Sequence, residues 1–245
     1  GTTINNTLIR FGSFNDVGIG VKADNGAGNT NISRNSFANL DYTAIMFRDG
    51  SHHNSVVHNT ILNTGFRYNE GGAICIYASP YNRIGYNHIE NCAQHGIDQQ
   101  NFEAPASGGN LIDWNYIKDA MQVGTDGGAI YAFKRPLYPD VWKFNYIENC
   151  GDPSDPARIS WGIYLDDLFG KCTVNYNFIT GGKSGIMVHG GRDVAVINNI
   201  IKPELGDPEW PGNYGVQIQS TDDGDLSANV SIRFNVVVGT LAGQG

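Results

Sequence analysis

Three aspartates in two short phrases have the residue type and the context for acid–base chemistry. Asp126 begins the phrase Asp-Gly-Gly-Ala-Ile-Tyr, and Asp166 and Asp167 end the phrase Gly-Ile-Tyr-Leu-Asp-Asp. Two carboxyl groups about 6.5–9.5 Å apart can cleave a glycosidic bond, one as general acid and the other as general base. Asp98, Asp126, Asp166 and Asp167 are the candidates for such a pair, on the condition that the fold brings two of these distant acids together. Asp98 and Asp166 lie two coils apart, with Cα atoms roughly 11–12 Å from each other on a flat sheet, so their side chains could reach this separation.

A repeated phrase predicts the fold that positions these acids. The phrase apolar–x–x–Asn–x–apolar recurs at intervals of 22 to 36 residues, in the range of solenoid repeats, and no helix pattern fits between its copies. Asparagine tolerates the left-handed backbone of a tight turn, and stacked amides can hydrogen-bond from coil to coil. We therefore predict one all-β domain over residues 1–245, a right-handed single-stranded parallel β-helix of about eight to nine coils. The asparagines are Asn35, Asn59, Asn87, Asn115, Asn145, Asn177, Asn199 and Asn235, with Asn6 in a weaker first copy.

A second phrase, a small residue followed by an alternating apolar strand, places side chains on two faces. Alternation turns the Ile and Val residues inward and leaves two columns pointing outward, which we expect to form a flat exposed sheet. The first outward column is Gly20, Met46, Cys75, Asp98, Tyr131, Tyr164, Met187 and Gln217. The second is Lys22, Arg48, Tyr77, Gln100, Phe133, Asp166, His189 and Gln219.

The middle coils of these columns have the composition of a sugar-binding surface. Aromatic rings stack on the C–H faces of sugars, while polar groups meet the hydroxyls. Long insertions at residues 101–109, 134–140, 150–160 and 202–213, with Phe102, Tyr138 and Trp210, would wall a groove beside them. The alternative is a solvated sheet with incidental tyrosines. The predicted substrate-binding residues are Asp98, Tyr131, Tyr164, His189, Arg48, Tyr77, Gln100 and Phe133.

Glycine pairs decide whether Asp126 can reach this surface. Glu70 and Asp126 both precede Gly-Gly-Ala-Ile, in equivalent positions two coils apart. In an extended strand Asp126 and Asp166 would lie on the order of 20 Å apart, whereas a bend at the glycines would swing the acid towards the sheet. The alternative role for both acids is to accept backbone N–H groups at a turn.

Charge and apolar pattern restrict the partners. The 245 residues include 16 basic and 24 acidic side chains, a net charge of −8. This balance disfavours nucleic acid, which binds basic surfaces, and no apolar run is long enough to span a membrane. No signal peptide is visible and both ends look cut rather than capped, so we expect a mature or excised portion of a longer chain.

The four cysteines do not have the spacing of a metal site. Cys92 and Cys150 occupy the same slot two coils apart, a separation of roughly 10 Å that is too long for a disulfide. We therefore predict that these two are small buried residues stacked in line, and that Cys75 and Cys172 bind no metal.

The two acidic phrases resemble a pair of strands in bacterial right-handed β-helix carbohydrate enzymes, most nearly glycoside hydrolase family 141 and its relatives. The resemblance spans residues 84–190, although Ala-Phe-Lys-Arg-Pro follows the first strand here in place of a Thr-Gly-Arg-Asp-like turn. It implies hydrolysis of plant or algal polysaccharides by Asp126 with Asp166 or Asp167, without a cofactor, in a secreted or periplasmic protein.

Two other functions are open on the same residues. A polysaccharide lyase or epimerase would use Tyr131, Tyr164, His189 or Lys134 as base, and would need Ca²⁺ or basic side chains to neutralise a uronate. A non-catalytic β-helix would serve as a tailspike-like shaft, an adhesin or a carbohydrate-binding module. The fold by itself does not discriminate among these functions.

Overall fold

A computed structural model describes residues 7–101, 107–151, 159–203, 214–221 and 224–239, which form strands and no helix. Sheet 1 contains β1 (Leu8–Arg10), β4 (Asn31–Ser33), β7 (Ser55–Val57), β10 (Arg83–Gly85), β13 (Leu111–Asp113), β16 (Asp140–Lys143), β19 (Cys172–Asn175), β22 (Arg192–Ile197) and β25 (Ala228–Arg233). Sheet 2 contains β2 (Ser13–Asn15), β5 (Ser36–Leu40), β8 (Thr60–Thr64), β11 (His88–Cys92), β14 (Tyr116–Lys118), β17 (Tyr146–Glu148), β20 (Phe178–Thr180), β23 (Ile200–Lys202) and β26 (Val236–Val237). Sheet 3 contains β3 (Ile19–Ala23), β6 (Thr43–Phe47), β9 (Gly72–Tyr77), β12 (His95–Gln100), β15 (Asp126–Phe133), β18 (Ile159–Asp166), β21 (Ser184–His189) and β24 (Val216–Gln219).

Along the described chain, each strand pairs in parallel with the strand that comes three later, such as β7 with β10 and β15 with β18. The chain therefore passes through the three sheets in turn and winds into a parallel β-helix. This confirms the fold class expected from the repeat. None of the described residues belongs to a helix long and apolar enough to cross a membrane.

Columns of aliphatic side chains fill the interior. In sheet 3, Ile74 pairs with Ile97 and Ile130 pairs with Ile163, and all four side chains are fully buried. Burying such a side chain contributes about 1.5–3 kcal/mol, and no single coil encloses its own apolar residues. The stack of coils, rather than any one of them, is therefore the stable unit.

The repeated asparagines form a buried amide ladder. The Oδ1 atom of Asn115 accepts hydrogen bonds from the backbone N–H and the Nδ2 group of Asn87, at 3.1 and 3.0 Å. The same pattern runs from Asn35 to Asn235, which confirms the predicted coil-to-coil hydrogen bonds.

The sequence predicts a left-handed backbone at the asparagine of each turn, and this prediction was wrong. The residue before the asparagine adopts that conformation instead. Tyr86, Trp114 and Phe144 have φ of 55 to 58°. The reason is that the asparagine side chain must point inward to join the ladder, so the preceding residue reverses the chain and points outward.

A second ladder, which the sequence analysis missed, lies in the corner before sheet 1. The backbone N–H of Asn54 donates to Asn82 Oδ1, and the backbone N–H of Asn82 donates to Asn110 Oδ1. The backbone N–H of Asn110 donates to a carboxylate oxygen of Asp140, which ends the ladder. Each member stands five residues before an asparagine of the first ladder, a spacing that was visible in the sequence.

Two predictions about sheet 3 were wrong. In the first coil Val21, not Ile19, pairs with Ile45, because Gly20 is the small residue that lies against the Phe37 ring. Lys22 consequently pairs with Met46, rather than Gly20 as the columns assumed.

The outer face of sheet 3 is also not a flat exposed surface. Tyr164 and Met187 are at most 4 % exposed, because Trp161 packs over Tyr164 with ring centroids 4.6 Å apart and Tyr131 joins the same cluster. Met46 and Cys75 in the same column are likewise buried. The second outward column keeps more of its exposure.

The cysteines are free and buried, as predicted for Cys92 and Cys150. Burial raises the pKa of the Cys92 and Cys150 thiols to about 12. The described residues contain no group of three or more His, Cys, Asp or Glu side chains placed to hold a metal ion.

Candidate active site

Asp166, at the end of β18, is the most extensively hydrogen-bonded of the predicted acids. Its Oδ1 atom accepts from the Nδ1 atom of His189 at 2.7 Å and from the backbone N–H of Asp167 at 2.8 Å. Its Oδ2 atom accepts from the hydroxyl of Tyr131 at 2.8 Å. Three donors stabilise a carboxylate that is only 9 % exposed, and they fix its orientation.

His189, one coil further on, has one nitrogen to spare. Its Nδ1 atom faces Asp166, and the buried Nε2 atom has no partner among the described residues. The hydroxyl of Tyr164 lies 3.3 Å from Nδ1. The structure thus joins Asp166, His189, Tyr131 and Tyr164 in one network.

Asp126 remains in β15, where it pairs with Ile159 at the start of β18, and its side chain lines the same cleft as Tyr131, which binds Asp166. Gly127 has φ of 153° and the equivalent Gly71 has φ of 129°, a backbone region that favours glycine. The Asp126 side chain is exposed to solvent, yet the protein around it desolvates the carboxyl group in part and so raises its pKa; the negative charge of Asp166 raises that pKa further, and His189 opposes the rise. The carboxyl groups of Asp126 and Asp166 are therefore electrostatic neighbours although the chain separates them by a full coil.

Asp126 lies at the mouth of a cleft of about 390 Å³, which we call the active cleft. Its walls come from the loop 65–71, between β8 and β9, and from the start of β15. Glu70 also lines it, so the two equivalent acids face the same space. The lining residues are Tyr42, Asn69, Glu70, Gly71, Tyr77, Gln94, His95, Gln100, Asp126 and Tyr131.

His95 belongs to this cleft and was missed by the sequence analysis. Its Nδ1–H donates to the carbonyl of Gly128 at 3.0 Å, and its ring stacks on Tyr131 with centroids 4.4 Å apart. Burial lowers the pKa of His95 to about 4, so the ring is neutral near pH 7. The sequence did contain a signal for it. In the aligned coils His95 stands where the adjacent coils have glycine, Gly72 and Gly128, so a large polar side chain replaces a hydrogen atom at this strand position.

Asp98 lies beneath the cleft instead of lining it. It is fully buried and accepts a 2.6 Å hydrogen bond from the hydroxyl of Tyr77, together with bonds from Gln100. Burial raises the pKa of Asp98 to about 7, against the opposing effect of these donors. Asp98 therefore positions Tyr77 and Gln100, the side chains that reach the cleft.

The other predicted residues are less central. Phe133 packs under Lys134, whose Nζ atom lies 5.3 Å from the ring centroid, and Arg48 is exposed outside the cleft lining. Asp167 contacts Asp166 through its backbone N–H. Tyr138 packs against Tyr81 with the two rings tilted by 35° and their centroids 4.8 Å apart. Phe102 and Trp210 lie outside the described residues.

Comparison with known proteins supports the architecture. The model of the right handed beta helix region matches residues 1–135. The Agl-KA catalytic domain is similar in structure, with a TM-score of 0.65 and 17% identity, over 98% of this chain and 48% of that chain. The catalytic domain of a GH87 alpha-1,3-glucanase gives a TM-score of 0.47 and 13% identity, over 89% of this chain and 49% of that one. Alginate lyase from Paenibacillus sp. str. FPU-7 gives 0.42 and 11%, over 85% and 76%.

These similarities are of the fold. No curated protein sequence matches the chain. The chain spans about half the length of the first two structures. The family model covers more than half of the sequence, and the three parallel sheets have the architecture that it describes. The chain therefore belongs to the family of right-handed β-helix proteins.

Proposed function

We propose that this chain carries the active site of a glycoside hydrolase that cleaves a neutral polysaccharide or oligosaccharide. The observation that carries the proposal is the contrast between two neighbouring carboxyl groups. The pKa of Asp126 is raised, so it retains its proton to higher pH than an ordinary aspartate, whereas Asp166 is held by three hydrogen-bond donors. Neighbouring carboxyl groups in such different surroundings are typical of a general acid and its partner.

In this reaction Asp126 is the general acid. It gives its proton to the leaving oxygen as the bond between that oxygen and the anomeric carbon breaks. A water molecule forms the new bond to the anomeric carbon, and its proton passes to Asp166. Tyr131 and His189 hold the Asp166 carboxylate in place throughout. We assign Asp167 the role of orienting Asp166 through its backbone N–H.

The charge of the active cleft supports a neutral sugar. Glu70 and Asp126 are acidic, and no lysine or arginine is among the described residues that line the cleft. A uronate would bring further negative charge beside these carboxylates without a compensating cation. Lyase or epimerase chemistry on uronates is therefore less favoured than hydrolysis. A secreted or periplasmic location belongs to this proposal, because a polysaccharide is too large to enter a cell.

The first test measures activity on soluble neutral glucans, xylans and mannans, beside alginate and polygalacturonate. New reducing ends without ultraviolet absorbance from unsaturated uronates are the expected result. Asp126→Asn and Asp166→Asn should each lower kcat by about 10²-fold or more. The matched control is Asp193→Asn, a change at an exposed aspartate of β22 whose φ of 58° suits asparagine.

Full activity in both Asp126→Asn and Asp166→Asn would refute the site assignment. Unsaturated products from a uronate polymer would instead identify a lyase. Binding of glycans without cleavage of any would identify a binding module.

A further inference from the structure

We propose that a second cleft, on the other side of the loop 65–71 from the active cleft, is a distal subsite for the same neutral glycan. This inference rests on the proposed function and extends it to the length of the substrate. The distal cleft has a volume of about 760 Å³. The residues that define it here are Asn39, Asp41, Asn63, Phe66, Arg67 and Asn91.

The floor of the distal cleft is a ladder of amides. The Nδ2 group of Asn91 donates to Asn63 at 2.7 Å, and the Nδ2 group of Asn63 donates to Asn39 at 2.9 Å. The Nδ2 group of Asn39 has no acceptor among the described residues. Each amide also keeps unused hydrogen-bonding capacity towards solvent, because an NH₂ group has two donors and a carbonyl oxygen accepts twice. Sugar hydroxyls, which both donate and accept, suit such a row.

Phe66 supplies an aromatic platform beside these amides. Its side chain is 50% exposed, and no other described aromatic ring stacks on it. The rings of Tyr86, Trp114 and Phe144 differ, because they stack in a row with centroids 4.5 to 6.1 Å apart and so present mainly their edges to solvent. A sugar needs an open ring face, which makes Phe66 the better platform.

The charges of the distal cleft fit the same ligand as those of the active cleft. Asp41 and Arg67 form an exposed ion pair at 3.3 Å, so the one cation at hand is already matched by an anion. Asp16 also lines the cleft, and the local charge is therefore not positive. A neutral glycan is favoured over a uronate in both places.

One loop joins the two clefts. Phe66 and Arg67 line the distal cleft, whereas Asn69 and Glu70, three residues further along the same loop, line the active cleft. The loop is tied down by the backbone N–H of Tyr68, which donates to the carbonyl of Asp41 at 3.0 Å. A glycan that leaves the active cleft over this loop meets the Phe66 ring and the amide ladder directly.

The test is the dependence of cleavage on chain length. Trimers to octamers of whichever neutral glycan is hydrolysed are assayed with the wild type, Phe66→Ala and Asn63→Ala. Each variant should lower kcat/KM for the octamer roughly tenfold more than for the trimer. Phe234→Ala, which removes an exposed phenylalanine in the last described coil, is the matched control. Equal effects on trimer and octamer, or no effect on either, would overturn the distal subsite while leaving the hydrolase proposal intact.

A binding measurement separates the two proposals. Migration of Asp166→Asn is followed in native gels containing the same soluble neutral glucans, xylans and mannans. If a glycan retards Asp166→Asn and the added Phe66→Ala change removes this retardation, the distal subsite is supported. This holds even if the wild type cleaves no glycan, a result that would overturn only the hydrolase proposal. Migration unaffected by every glycan would overturn the distal subsite.

Discussion

Asp126 and Asp166 differ in their surroundings, because only Asp166 is held by three hydrogen-bond donors. Asp126 sits where the Gly127 bend carries the chain over the His95 ring, and a side chain at residue 127 would collide with that ring. His95 in turn stacks on Tyr131, which binds Asp166. The neutral imidazole of His95 therefore positions both halves of the proposed acid–base pair.

The charge of Asp166 should be measurable in the titration of Asp126. Asp166→Asn removes one of the two causes that raise the pKa of Asp126, so that pKa should fall while burial keeps it above the ordinary value of 3.8. Carboxyl ¹³C NMR titration of the wild type and of Asp166→Asn measures the change. Asp193→Asn is the control and should leave the Asp126 titration unchanged. An unchanged or higher pKa in Asp166→Asn would mean that the two carboxyl groups do not interact.

This pKa also predicts a pH profile. A general acid acts in its protonated form, so activity should decline as pH rises through the raised pKa of Asp126. The alkaline limb of kcat should therefore lie above the range of an ordinary aspartate. A limb close to pH 4 would argue that Asp126 is not the acid.

At the scale of elements, the turns before sheet 2 explain the pattern that first revealed the fold. A non-glycine residue in the left-handed region costs roughly 1–2 kcal/mol. Tyr86, Trp114 and Phe144 adopt this left-handed conformation in successive coils. Stacking of their rings contributes about 0.5–1.5 kcal/mol per pair, which offsets part of that cost. The asparagine ladder alongside adds hydrogen bonds in a buried environment.

The ladder should be far more important for stability than the exposed amides of the distal cleft. Asn115→Ala leaves the backbone N–H of Asn87 without its acceptor and removes a donor from the Ile84 carbonyl, while Asn145 Oδ1 keeps only the backbone N–H of residue 115. The free energy of unfolding should fall by about 3 kcal/mol. Asn63→Ala, at an exposed amide, should lower it by only about 1 kcal/mol, mainly because the φ of 57° at this position suits asparagine better than alanine. Urea denaturation followed by circular dichroism gives both values. Similar losses in the two variants would contradict a structural role for the buried ladder.

At the scale of the whole molecule, protection increases from the ends towards the middle. The strands of the first described coil, Leu8–Arg10 and Ser13–Asn15, are mostly exposed, and so is Val236–Val237 in the last. Gly72–Tyr77 and His95–Gln100 are almost wholly buried. In a stack where each coil contacts only its neighbours, opening should begin at the ends.

Hydrogen exchange should reproduce this gradient. Amides of Gly72–Tyr77, His95–Gln100 and Ser184–His189 should exchange slowest, and those of Leu8–Arg10 and Val236–Val237 fastest. Mass spectrometry of peptides after timed labelling resolves the coils. Uniform protection along the chain would show that the described coils unfold as one unit.

The sequence by itself determined the repeat, the parallel β-helix, the inward aliphatic columns and the strand pairing of the middle coils, because each depends on local alternation repeated at nearly constant length. It also placed Tyr131 opposite Tyr164 correctly. The predicted strand pairing was wrong in the first coil, because Gly18 and Gly20 both suit the position of the small residue. The predicted left-handed residue was wrong by one position, because an asparagine and the residue before it both suit a turn.

Only the tertiary structure decided which outward residues meet at the site. The exposure of an outward side chain depends on which loops and neighbouring rings cover it. Asp98 is therefore buried beneath Tyr77, whereas Asp126 lines the active cleft. The alignment of coils marks His95 as unusual, but it becomes part of the site only when Gly128 and Tyr131 of the next coil are stacked upon it. Such contacts join residues some 33 positions apart, and no local pattern contains them.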